Sequence, residues 1–184
     1  MNDKDVQTIT RVILTIGIVL CGLSLILPWG ELTVGMFGIG DFYTWGVQIS
    51  LPSNSELTLY FSILSESSPF SQQLSSYLIE VFFSILVLPL GLLSLALGII
   101  AEIRLAKYGK DLSLRAGVFS IVAVVFFYIF IQFGMLRAYE PLTAFFDWSM
   151  GFYMMIISAM LFFGSYVILR NLVDEEGIEK TPNL

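Results

Sequence analysis

Four stretches of the chain are apolar almost without interruption, and the segment after the first changes to a two-residue alternation. Residues 12–28 (VILTIGIVLCGLSLILP) form the first uncharged run. At 17 residues it is near the short limit for a membrane span, since about 20 helical residues cross the hydrocarbon at 1.5 Å each. Residues 78–101, 116–136 and 148–169 form three further runs, each long enough to span. No small-residue cleavage site follows the first run, and Leu20 is too large for lipoprotein processing before Cys21, so a retained span is expected.

Between the first two runs the period drops to two. Tyr43, Trp45, Val47 and Ile49 alternate with Thr44, Gly46, Gln48 and Ser50, and Leu57, Leu59, Phe61 and Ile63 alternate with Thr58, Tyr60 and Ser62. Alternation rich in aromatic and branched residues is the strand signal. Residues 31–37 (ELTVGMF) give a weaker copy, with Gly38, Gly40 and Asp41 read as a turn before the next strand and Pro52, Ser53 and Asn54 as another. Ser68 and Pro69 form an N-cap and first helical position, so a short helix is expected to lead into the second span. The expected fold is a mostly α membrane protein, a single four-span domain over residues 1–184. It is a four-helix transmembrane bundle with a small extracellular antiparallel β-sheet, carried by residues 29–77, between helices 1 and 2.

Composition agrees with a lipid-solvated chain. Of 184 residues, 57% are hydrophobic and 13% charged, and the mean hydropathy is +0.84, whereas soluble domains are roughly 45–50% apolar and about 25% charged. Basic residues orient the spans, because short cytoplasmic loops retain Lys and Arg. Lys4, Arg11, Arg104, Lys107, Lys110, Arg115, Arg170 and Lys180 mark one face, residues 29–79 carry none, and Arg137 alone falls on the other side. Both termini are therefore expected in the cytoplasm of a multi-pass cell-membrane protein. The net charge of −6 supplies no basic stripe for nucleic acid.

The chemistry-bearing residues are few. With one cysteine, Cys21, and no histidine, an intrachain disulfide and any histidine-based site are excluded. No nucleophilic triad or metal-ligand set is present, so no catalytic, cofactor or metal residue is assigned and an enzyme is not expected. The glycines of "GMFGIGD" lack the Lys-Ser/Thr ending of a phosphate loop and read as a turn. Glu31, Asp41, Glu56, Glu66, Glu140 and Asp147 are scattered without calcium-loop spacing, and solvation is the default reading. Glu80, near the start of span two, and Arg137, at the end of span three, are expected to form a structural ion pair at the outer interface. Gln132 is expected to bond across helices. The small pairs Gly17 and Cys21, Ser94 and Gly98, and Ala116 and Ser120 are expected to bring helices close. Pro89 interrupts span two and should kink it.

The layout resembles the claudin-like tetraspan superfamily: claudins, peripheral myelin protein and calcium-channel gamma subunits. The matching features are four spans, a long first outer loop, Pro28 and Trp29 at the exit of span one, and Trp45 in the loop. A basic connection leads into "RAGVFSIVAVVFF", and "GFYMMIISAMLFFGSYVIL" fills the last span. The family's loop carries a cysteine pair that this chain lacks. The resemblance implies adhesion, a paracellular barrier or accessory binding to a larger membrane complex. The leading expectation is a non-enzymatic interaction or accessory subunit whose partner is another membrane protein or itself. Phe42, Tyr43, Trp45, Tyr60 and Phe61 are the natural contacts, with Trp45 also a candidate to pack inward on Trp29 and the helix ends. The alternatives are a small transporter or channel component and a lipid-binding membrane protein.

Overall fold

The structure, a computed structural model, describes residues 3–34, 37–50, 56–60, 78–136 and 144–179. Four helices carry the apolar runs: α1 (Asp3–Ile26), α2 (Leu78–Ile103), α3 (Leu105–Ile129) and α4 (Met150–Glu179). Each is long and apolar enough to cross a membrane, which fits an integral, multi-pass membrane protein. They form a ring in which α1 touches α2 and α4, and α3 touches the same two. The chain reverses between α2 and α3 at a single residue, Arg104 (φ −107°, ψ 31°). The expected basic connection is thus helical, with Lys107, Lys110 and Arg115 on the first turns of α3. Past Ile129 the helix continues as a π-helical segment, Phe130–Met135.

Which side chains face inward distinguishes this bundle from a soluble one. Its interior holds Ser24, Ser84, Ser94, Ser120, Ser158 and Ser165, all fully buried, while Ile16, Val19, Leu92, Val125, Ile157 and Val167 are exposed. In water that arrangement would leave a large apolar surface unpaid for; in lipid the outward Ile, Leu and Val are solvated and the small polar residues let helix backbones approach.

The sheet is larger than the sequence pattern shows. Strands β1 (Gly30–Val34), β2 (Phe37–Tyr43), β3 (Gly46–Ser50) and β4 (Glu56–Tyr60) lie between α1 and α2, and β5 (Ala144–Trp148) lies between α3 and α4. All pair antiparallel in the order β4-β3-β2-β1-β5. Residues expected to form one strand, 43–50, are split by a two-residue hairpin turn at Thr44 and Trp45, because Tyr43 pairs with Gly46. Gly38 and Gly40, expected in a turn, are in β2. There Gly40 faces Leu32 and Gly38 faces Thr33, so the glycines flank a bulge. The short helix expected after Ser68 lies outside the described residues.

Alternation along the strands gives the sheet an inner and an outer face. Leu32, Phe42 and Val47 are buried against the bundle, while Glu31, Phe145 and Asp147 are exposed on the other face.

Candidate interaction surface

The surface is held in place by the junction between sheet and bundle, which is built from helix ends. The last carbonyls of a helix have no partner within it. At the end of α1 they are bonded by the segment that follows. Leu27 N–H donates to Leu23 O at 3.0 Å, and the Trp29 indole N–H donates to Ser24 O at 2.6 Å. The Thr44 hydroxyl, from the β2–β3 turn, donates to Leu25 O at 3.2 Å. The start of α4 is secured in the same way: Ser149 N–H donates to Trp29 O and Gly151 N–H to Pro28 O, both at 3.0 Å. The entry into the sheet and the exit from it are therefore bonded to each other.

Aromatic rings fill the space between. Trp29 is fully buried and makes edge contacts with Phe127 of α3 (centroids 4.9 Å apart) and Phe152 of α4 (5.8 Å). Phe42 lies 5.7 Å from Phe146 and 6.4 Å from Phe130, and Trp148 lies 4.2 Å from Phe152. The edge-to-face pairs among these, Trp29–Phe127, Trp29–Phe152 and Phe42–Phe146, add about 0.5–1.5 kcal/mol each beyond the area they bury. Two glycines make the fit possible. A Cβ on Gly30 would run into the Phe146 ring, and one on Gly151 would sit 2.7 Å from Leu27 O, Pro28 O and the Trp29 ring.

This geometry corrects one expected contact. Phe42 is fully buried between sheet and bundle and presents nothing to a partner, because its place in the alternation puts it on the inner face with Leu32 and Val47. Tyr43 and Trp45 are half-buried and stack on each other, centroids 4.6 Å apart and planes 19° apart. Tyr43 ends β2 on the outer-face side of the alternation, its hydroxyl 3.5 Å from Gln48 Oε1, and Trp45 lies in the turn beside the end of α1. Tyr60 ends β4, paired with Gly46. Phe61 and Arg137 lie outside the described residues, as does the side chain of Glu80, so the expected ion pair does too.

The outer face carries a feature that spacing along the chain conceals. Strand register places Asp41 opposite Glu31, and Glu31 opposite Asp147. The row continues through Gln48 to Thr58. One polar row thus crosses all five strands, with three carboxylates side by side on β2, β1 and the edge strand β5. Directly opposed like charges destabilise a sheet. Among the described residues, no three His, Cys, Asp or Glu side chains are grouped so as to hold a metal ion.

Among the described residues, the bundle interior offers no comparable surface. Ser94 Oγ donates to Ala116 O at 2.8 Å and lies 2.6 Å from Ser120 Oγ, which leaves Ser120 as that pair's donor. Ser158 Oγ donates to Gly17 O at 2.8 Å, and Ser24 Oγ to Cys21 O at 2.7 Å. Cys21 Sγ lies 3.8 Å from Gly91 O, 3.9 Å from Met155 Sδ and 4.0 Å from Ser94 Oγ. Among the described residues every buried side-chain polar atom has a partner. The small residues singled out from spacing do meet neighbouring helices, whereas Gln132 lies in the π-helical segment near the sheet, half-buried. No known family model matches the chain, and no curated protein is significantly similar to it.

Proposed function

We propose that the chain is a non-enzymatic, claudin-like integral membrane protein that acts as an interaction or accessory subunit, its sheet outside the cell and both termini in the cytoplasm. The observation that carries this reading is the junction. A five-stranded sheet is fastened to the membrane bundle at both its entry and its exit, so its outer face is presented at a fixed height and angle. Preorganised surfaces bind with a smaller ordering penalty. The partner is a second membrane protein or another copy of the chain. The row Asp41, Glu31 and Asp147 favours basic groups on it, with Phe145 beside them as an apolar contact. The basic residues on the opposite end of the bundle support the orientation.

The transporter or channel reading has less support, since the buried hydroxyls described in the bundle are taken up by backbone carbonyls, or by each other at Ser94 and Ser120, instead of lining a path. The test combines sidedness and contact. A cysteine replacing Glu31 is expected to react with a membrane-impermeant maleimide on intact cells, and one replacing Arg115 is not. A photo-crosslinking residue at Thr33, on the outer face, is expected to give a discrete protein adduct that weakens in Glu31→Gln/Asp147→Asn. Labelling of the Arg115 site alone would invert the topology. Adducts at Thr33 that are indifferent to the acidic row would remove the charged face from the contact.

A further inference from the structure

The end of the sheet nearest the bundle differs from its face. Register puts Tyr43, Gly46, Tyr60, Gly30 and Trp148 at that end, with Trp45 in the turn between Tyr43 and Gly46. The turn is tied to the end of α1 through Thr44 and Leu25 O, so Trp45 is held at the level where α1 leaves the membrane. On the far side of the bundle, Trp148 stacks on Tyr128 of α3, centroids 5.8 Å apart and planes 14° apart. Tyr128 and Tyr153 are about half exposed at the same level. All three tryptophans of the chain, Trp29, Trp45 and Trp148, thus lie in one layer.

Helix length gives that layer a depth. Tyr108, also exposed, lies on α3 toward its other end. The 20 residues from Tyr108 to Tyr128 span about 30 Å at 1.5 Å per residue, the thickness of the hydrocarbon core. Trp and Tyr rings collect at the boundary because they offer an apolar body and a polar tip to a region that is apolar below and wet above. The lipid-facing side chains of α3 and α4 run directly up to this layer.

We propose that the lower rim of the sheet, Tyr43 and Trp45 together with the Trp148–Tyr128 pair and Tyr153, is seated in the lipid headgroup layer. The occupant of this aromatic surface is the membrane itself, and the acidic row, one residue above Trp148 and two above Tyr43, lies on the water side of it. The sheet therefore has a lipid-contacting rim and a separate water-facing face. The assignment does not depend on whether that face docks a protein.

The test uses the full chain in lipid nanodiscs, labelled with 5-fluorotryptophan. Trp45→Phe and Trp148→Phe each remove one 19F resonance and so assign the spectrum. Thr33→Trp adds a reference resonance higher on the sheet. Two relaxation agents are compared: a phospholipid spin-labelled near the top of its acyl chain, and a soluble gadolinium chelate. Trp45 and Trp148 are expected to broaden more with the lipid label than with the chelate, and the Thr33→Trp resonance the reverse. Trp45 broadened by the chelate and untouched by the lipid label would overturn the proposal. Equal lipid broadening at Trp45 and at position 33 would also overturn it, because the sheet would then lie flat on the membrane. A well-dispersed spectrum in each variant shows that the fold persists.

Discussion

The middle of the bundle and the junction with the sheet are both fully packed, yet they use different materials. In the middle, helices meet through Gly17, Cys21, Ser94, Ser120 and Ser158, and short hydrogen bonds cross between them. About 10 Å further along the helices, the sheet is attached through Trp29, Phe42, Phe127, Phe146, Trp148 and Phe152, with backbone hydrogen bonds only at the helix ends. The difference follows from the solvent. Within lipid, burying a large apolar side chain gains little, because lipid tails are as apolar as the protein interior; close approach and hydrogen bonding are what remain. Where the chain emerges toward water, removing aromatic surface from solvent is again favourable, at roughly 25 cal/mol per Å². The same chain therefore changes its means of cohesion within about two helical turns.

The largest effect that would break this contrast is expected at Trp29. Trp29→Ala removes two ring contacts and the indole bond to Ser24 O, and a loss of about 3–5 kcal/mol is expected, read as thermal stability in detergent. Gly30→Val and Gly151→Ala should each lose about 1–3 kcal/mol, because the added atoms meet Phe146 or the α1 terminus and neither can give way freely. In the bundle the numbers should be smaller. Ser94→Ala and Ser120→Ala are expected to lose about 0.6–2 kcal/mol, and a double-mutant cycle should show coupling between them. Additive effects would mean that their 2.6 Å contact contributes nothing. The smallest effect should have the opposite sign. Glu31→Gln takes away the carboxylate between Asp41 and Asp147, and is expected to raise stability by about a few tenths of a kcal/mol, most clearly at low salt. A decrease would mean that the row stabilises the isolated chain.

The bundle was legible in the sequence because membrane spans are marked by composition over twenty residues, a signal that survives local irregularity. The sheet was legible only in part. Thr44 and Trp45 are strand formers, so the hairpin turn they make carries none of the Asn-Gly or Asp-Gly chemistry that marks such turns. Gly38 and Gly40 read as punctuation but serve a bulge. The fifth strand hides among three aromatic residues of "AFFDW", which continue into the apolar run of α4. The acidic row is invisible along the chain: Glu31 and Asp147 are 116 positions apart, and only register makes them neighbours. Phe42 looked like a surface aromatic because alternation tells which residues share a face, not which face meets the bundle.

The central claim is that sheet and bundle form one unit joined at Trp29, and amide hydrogen exchange in nanodiscs tests it most directly. In the wild type, Leu32, Phe42 and Phe146 should be protected to a degree comparable with Ser94 and Ser120. In a milder variant that still folds, Trp29→Phe, protection across β1, β2 and β5 should fall together while the Ser94–Ser120 region keeps its own. Sheet amides that exchange rapidly in the wild type, or that are unmoved by Trp29→Phe, would show the sheet to be an independent element tethered to the bundle, and would contradict the account.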